Sequence, residues 1–147
     1  LPRPPPREIL SSSTFATLRT VLEGVVVEGT ATAASVDGYR VAGKTGTAQK
    51  VIPGQGYSQE LHMASFVGMV PSQDPRLVVL VMIDEPTKST HGGTVAAPAF
   101  SAIVRQAVLY LGIAPDPELW AADSGWIRAT PERRPARSAV ELVEAGS

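Results

Sequence analysis

Seven consecutive apolar residues, Leu77-Val78-Val79-Leu80-Val81-Met82-Ile83, place the tightest limit on what this chain can become. The run is far too short to cross a bilayer, which takes ~18 or more apolar residues. More than half of it is β-branched, so it reads as a strand. A half-exposed strand alternates apolar and polar residues; this one is apolar on both faces and is expected inside a sheet covered on two sides. A second strand-like run, Met63 to Val70, precedes it. Between them, Pro71-Ser72-Gln73-Asp74-Pro75-Arg76 has the composition of a hairpin turn.

The rest of the chain can be read around that pair. Asp37-Gly38 signals a turn, after which Tyr39-Arg40-Val41-Ala42 alternates into Gly43-Lys44-Thr45-Gly46-Thr47-Ala48, a third strand that ends at Pro53-Gly54-Gln55-Gly56. A helix is predicted after Ser11-Ser12-Ser13, whose hydroxyls suit an N-cap. Its apolar face is Phe15, Leu18, Val21, Leu22 and Val25, with Arg19, Thr20 and Glu23 off it, and Gly29 is its stop. A second helix is predicted to begin near Pro98, a good first-turn residue. Its expected buried stripe is Phe100, Ile103, Val104, Ala107, Val108 and Leu111, and Gly112 ends it. Thr30 to Ser35 and the stretch from Asp84-Glu85-Pro86 to His91-Gly92-Gly93 read as loops. Asp84 and Glu85 are expected to face solvent and are not read as a catalytic carboxylate pair.

Leu1 to Arg7, with four prolines, is an extended arm. After Pro115 the pattern fades: Trp120 and Trp126 suit local packing, 131–137 reads as a solvated linker, and Leu142-Val143 as a contact for something outside the chain. Helix, three antiparallel strands, helix is an α/β (α+β) arrangement with too few elements for a closed two-layer domain. The chain therefore reads as part of a fold, with 1–117 inside a larger domain and 118–147 a tail or linker. It starts on Leu, so a processed or excised segment is expected.

Thirteen Lys and Arg against 14 Asp and Glu leave a formal charge of −1, which offers no basic footprint for nucleic acid. The absence of cysteine excludes a disulfide framework, a thiolate metal site and a cysteine nucleophile. His62 has no partner at metal-ligand spacing, so no metal is expected. There is also no asparagine anywhere in the chain.

Gly38-Tyr39-Arg40-Val41-Ala42-Gly43-Lys44-Thr45 fits the phosphate-loop pattern letter for letter. That loop needs an apolar strand before it and a helix after it to curl N–H groups around phosphates. Neither flank has that character, so a nucleotide site is not expected. The same letters also spell Lys-Thr-Gly on a strand. Such a strand offers a cation, and the Thr45 and Thr47 hydroxyls, two residues apart, on one side. Gly46 leaves room for a substrate or a neighbouring backbone to come close. An edge of this kind suits a carboxylate ligand and a developing oxyanion.

The stretch Val41-Ala42-Gly43-Lys44-Thr45-Gly46-Thr47-Ala48-Gln49 resembles the third motif box of class B penicillin-binding transpeptidases. The resemblance continues through Glu23-Gly24-Val25-Val26 and Gly29-Thr30-Ala31 before it, Ala64 to Pro71 after it, and Gly92-Gly93-Thr94-Val95-Ala96-Ala97-Pro98-Ala99-Phe100 at the start of the last helix. It covers roughly residues 7–117 and is most similar to the division-associated, septal type. It implies a penicillin-binding fold, an antiparallel sheet flanked by helices, shared with serine β-lactamases.

The resemblance further implies a peptidoglycan D,D-transpeptidase. In that family the serine of an S-x-x-K motif attacks a D-Ala-D-Ala stem peptide, an S-x-N motif helps proton transfer, and β-lactams acylate the same serine. Lys44 would hold the S-x-N serine and favour an anionic substrate. Thr45 and Thr47 would hold the carboxylate beside Gly46, and the Thr47 N–H would serve the oxyanion hole. His91 stands where relatives often carry an aromatic lining the cleft, and it is kept as a substrate-side candidate beside an ordinary loop reading. Tyr57, in a loop after the box, is a candidate to lie over the cleft.

No serine here is followed three residues later by lysine, and S-x-N is impossible without asparagine. Ser11, Ser12 and Ser13 are caps. Catalysis by these residues alone is not expected, and no cofactor is implied. Expected partners are the stem peptide, β-lactams, the N-terminal remainder of the same protein and other cell-wall or division proteins. The implied location is the outer face of the cytoplasmic membrane, with the anchor elsewhere. A β-lactamase or antibiotic sensor is an alternative, against which Gly92-Gly93 and Ala48-Gln49 argue; so is a non-catalytic binding module.

Overall fold

The computed structural model describes residues 7–119. The expectations for most of the proline arm, Trp120, Trp126, the 131–137 linker and Leu142-Val143 lie outside the described residues. In order come α1 (Ser12–Val27), a short 3-10 turn (Thr32–Ala34), β1 (Ala42–Ile52), β2 (Gly56–Val70), β3 (Leu77–Asp84) and α2 (Gly92–Tyr110). The strands form one antiparallel sheet in the order β1-β2-β3. The 71–76 turn joins Val70 to Leu77, its partner in register.

α1 begins as its serines predict: Ser11 is the N-cap, and its Oγ accepts from the Thr14 N–H at 3.2 Å. The side of the helix that meets the rest of the molecule differs from the expectation. Phe15, Leu18 and Val21 are exposed, and Val26 is the buried residue. Arg19 and Glu23, expected to face away, are turned inward. Glu23 accepts a hydrogen bond from the fully buried Ser72 hydroxyl, and Arg19 Nε lies 3.7 Å from the same carboxylate oxygen. Periodicity locates an apolar stripe; it does not say which side of the helix the 71–76 turn will occupy.

The core lies between the sheet and α2. Phe66 and Val70 of β2 are fully buried against Ala96, Ala97, Phe100 and Val104, and the Phe66 and Phe100 rings meet edge to face at 4.8 Å and 73°. Such a pair adds ~0.5–1.5 kcal/mol beyond its buried area. Ala31 and Ala34, expected in a loop, are fully buried in and beside the 3-10 turn, and the Ser101 hydroxyl of α2 donates to Ser35 O at 2.6 Å.

α2 starts six residues before Pro98, which lies inside the helix. Its buried stripe is Ala96, Ala97, Phe100, Val104 and Val108; Ile103 and Leu111 are exposed. The end is as expected. Gly112 takes φ +62°, its N–H bonds Leu109 O at 3.2 Å, and the Ile113 N–H bonds Val108 O at 2.9 Å, a pattern that satisfies the last carbonyls.

β3 departs most from its prediction. Among the described residues it is a sheet edge, covered on one face only. Leu77, Val79, Val81 and Ile83 pack under α2, whereas Val78, Leu80 and Met82 are 72%, 57% and 56% exposed. β2 is longer than expected, starting at Gly56, so Tyr57 is a strand residue opposite Val51 rather than a loop residue.

Candidate active-site wall

Among the described residues β1 forms the other sheet edge, and the Lys-Thr-Gly run lies within it. The phosphate-loop letters therefore lie on a turn and a strand, not on a loop that wraps an anion. Alternation along β1 divides its side chains. Lys44 is opposite Val67 on the face away from α2, beside Leu22 of α1, while Thr45 and Thr47 are opposite the buried Phe66 and Ala64 on the α2 side. The two threonine hydroxyls thus share a side, as their spacing requires.

Each hydroxyl has a partner from a different segment. Thr45 Oγ1 lies 3.3 Å from Thr30 Oγ1, just past α1. Thr47 Oγ1 donates to Thr90 O at 3.3 Å, just before α2. Lys44 Nζ donates to Thr45 O at 3.0 Å and reaches Thr45 Oγ1 at 3.5 Å. Among the described residues Lys44 has no acidic partner, so its charge is available to an anion. Nothing in the residue pattern singles out Thr30 and Thr90: both are polar residues in stretches read as loops.

His91 is the N-cap of α2 and is exposed; its carbonyl accepts from the Thr94 N–H at 2.9 Å, and its side chain makes no cap bond. It adjoins Thr90, and so the Thr47 hydroxyl. The two glycines that follow are why α2 can start here. A Cβ on Gly92 would overlap Ser65 O and lie 2.8 Å from Gly46 O, and one on Gly93 would overlap Thr30 O. The helix start thereby rests on the backbones of β1, β2 and the α1 exit together. The Cβ direction of Gly46 is taken by the cross-strand Ser65 Oγ, while the backbone of Gly92 comes close to Gly46 O, as expected of a glycine that lets a neighbouring backbone approach.

Tyr57 sits four residues beyond Thr47 in the β1 register, about 13 Å along a strand at ~3.3 Å per residue, at the hairpin tip. The His62 ring bonds Glu60 O at 2.9 Å. Asp84 and Glu85 are partly exposed, as expected, and they also grip Lys50. Its Nζ lies 2.6 Å from Glu85 Oε1 and 3.0 Å from Asp84 Oδ1. The hydrogen bonds that Lys50 donates to Glu85, then to Asp84, raise its pKa above the usual 10.5.

A recess of about 510 Å³ lined by Glu23, Val26, Tyr39 and Arg40 lies away from the Lys-Thr-Gly run; Lys44 borders a shallower one, about 160 Å³, with Leu22, Val67 and Val78. The wall is thus an open strip carrying a cation, two hydroxyls and a helix start. It can bind and orient an anion. Among the described residues no serine hydroxyl is bonded to a lysine or histidine side chain.

The penicillin binding protein transpeptidase domain model matches residues 2–105. Stage V sporulation protein D of Bacillus subtilis is 47% identical over 110 residues, 74% of this chain and 17% of that protein. The probable peptidoglycan D,D-transpeptidase PenA of Neisseria gonorrhoeae is 41% identical over 121 residues, 81% of this chain and 21% of that protein. The structure of penicillin binding protein 3 from Mycobacterium tuberculosis complexed with ampicillin superposes with a TM-score of 0.70 at 35% identity, covering 80% of this chain and 28% of that one. The chain spans about a fifth of the length of the curated relatives it matches. A sheet of this order, a Lys-Thr-Gly edge strand and a match across well over half its residues place the chain in the penicillin-binding protein transpeptidase domain family.

Proposed function

We propose that these residues form one wall of a serine-type peptidoglycan D,D-transpeptidase site, completed by protein that precedes them in a longer chain. The observation that carries this reading is the Lys44-Thr45-Gly46-Thr47 run on a free strand edge, backed by the start of α2, in a chain of this family. Lys44 holds a partner serine and draws in the anionic substrate. Thr45 and Thr47 hold the carboxylate of a stem peptide or β-lactam beside Gly46, the Thr47 hydroxyl turning its one proton from Thr90 O to the anion, with His91 at the rim. The Thr47 N–H donates to the oxyanion; losing one such donor costs about 10²–10³ in rate. The preceding part supplies S-x-x-K, S-x-N and a membrane anchor, and packs on the open faces of the sheet and α1. The protein works outside the cytoplasmic membrane, in septal cell-wall synthesis with other division proteins.

Labelling the full-length protein with a fluorescent penicillin and mapping the adduct by mass tests this. The adduct is expected outside these 147 residues, and Lys44→Ala is expected to slow acylation by about 10²-fold or more while the fold survives. An adduct on Ser11, Ser12 or Ser13, or unchanged acylation in Lys44→Ala, would falsify the assignment. No labelling at all would favour the non-catalytic module.

A further inference from the structure

Lys50 stands three residues past Thr47, where the β1–β2 register breaks between Gln49 and Val51. Bulges of this kind re-aim the side chain at the break. Here Lys50 reaches past β2, the middle strand, to Asp84 and Glu85 at the end of β3. Glu85 is the one non-glycine residue at positive φ among the described residues, at +48°. That conformation is uncommon for a side chain of this size and persists where surroundings hold it. Two contacts hold it: the Glu85 N–H bonds His62 O at 3.0 Å, and its carboxylate grips Lys50.

From there the chain runs to Thr90, whose carbonyl accepts the Thr47 hydroxyl. The segment from Asp84 to Thr90 is therefore tied to β1 at both ends, by Lys50 at one and Thr47 at the other. We propose that Lys50 is a positioning residue: by holding Asp84 and Glu85 it sets the path of residues 85–91, and so where Thr90 and the start of α2 stand against Thr47 and Gly46. This rests on the transpeptidase reading of Thr47. A surface ion pair without that role would leave the wall untouched when removed.

The test uses the full-length protein with Lys50→Met and Lys50→Arg. It measures the second-order rate of acylation by fluorescent penicillin at low and high salt, with amide hydrogen exchange of residues 85–91. Lys50→Met is expected to slow acylation about fivefold and to speed exchange across 85–91, and Lys50→Arg to restore both. Because the three groups are partly exposed, salt screens them, as it screens Lys44 from the anionic penicillin in both proteins, so high salt should slow the wild type more than Lys50→Met and narrow the gap between them. The proposal is overturned if Lys50→Met acylates at the wild-type rate, or if the loss is neither rescued by Arg nor accompanied by faster exchange. Should Lys50→Met fail to fold, Glu85→Gln must show the same direction of change. A wild type that takes no penicillin refutes the transpeptidase reading instead; exchange across 85–91 in Lys50→Met then decides alone, faster supporting the tie and unchanged refuting it.

Discussion

Gly92 and Gly93 look like loop residues because glycine weakens helices by up to ~1 kcal/mol against alanine. Here they open a 19-residue helix, since any Cβ would meet the backbone of Ser65 or Thr30. Neither obstacle is a flexible side-chain tip that could swing aside. Gly93→Ala in the full-length protein is therefore expected to lower stability by about 1–3 kcal/mol or more, and to slow penicillin acylation because Thr30 and Thr90 shift with the helix start. Denaturant unfolding and labelling kinetics check this. Gly46→Ala meets only the Ser65 hydroxyl, which can rotate, and should cost less in stability. The Lys-Thr-Gly motif itself was legible from its letters. Its neighbours Thr30 and Thr90 were not, because 15 and 43 residues separate them from the hydroxyls they meet.

Elements were legible where local chemistry decides them: the Ser11 cap, the hairpin turn after Val70 and the glycine stop of α2 stand where read. What packs on them was not, as Arg19 and Glu23 of α1 show. The approach to β1 is likewise held by distant chain. Tyr39 OH donates to Ile113 O at 2.7 Å beyond α2, and Arg40 Nε lies 3.0 Å from the Asp116 carboxylate. Burial raises the Tyr39 pKa above its usual 10.0. Since the folded protein keeps that proton longer than the unfolded chain, the associated stability is fully present below pH 10.0 and is lost as pH rises through the raised value. Lys50 adds to the same alkaline loss. Tyr39→Phe should cost about 0.5–1.5 kcal/mol at neutral pH and show a shallower decline above pH 10.0; equal slopes would assign the decline to other groups. Denaturant midpoints across that range provide the measurement.

For the whole molecule, the run that most limited the fold was read as lying inside a doubly covered sheet, and among the described residues it is an edge with an open face. Val78, Leu80 and Met82 of β3, and Phe15, Leu18 and Val21 of α1, are exposed apolar side chains. On the proposed reading the preceding part of the domain covers them. Leu80→Lys should then abolish soluble full-length protein while leaving residues 7–119, expressed alone, no worse folded; full-length Leu80→Lys with wild-type yield and melting temperature would show that nothing covers this face. The sequence by itself determined the strands, most of the helix ends and the Lys-Thr-Gly identity, since caps, turns and period-2 alternation act within a few residues. Only the tertiary structure decided that β3 is an edge, that Glu23 faces Ser72, and that Thr30, Thr90 and the two glycines assemble around the wall. Those are close approaches between segments far apart in the chain, and no local pattern encodes them.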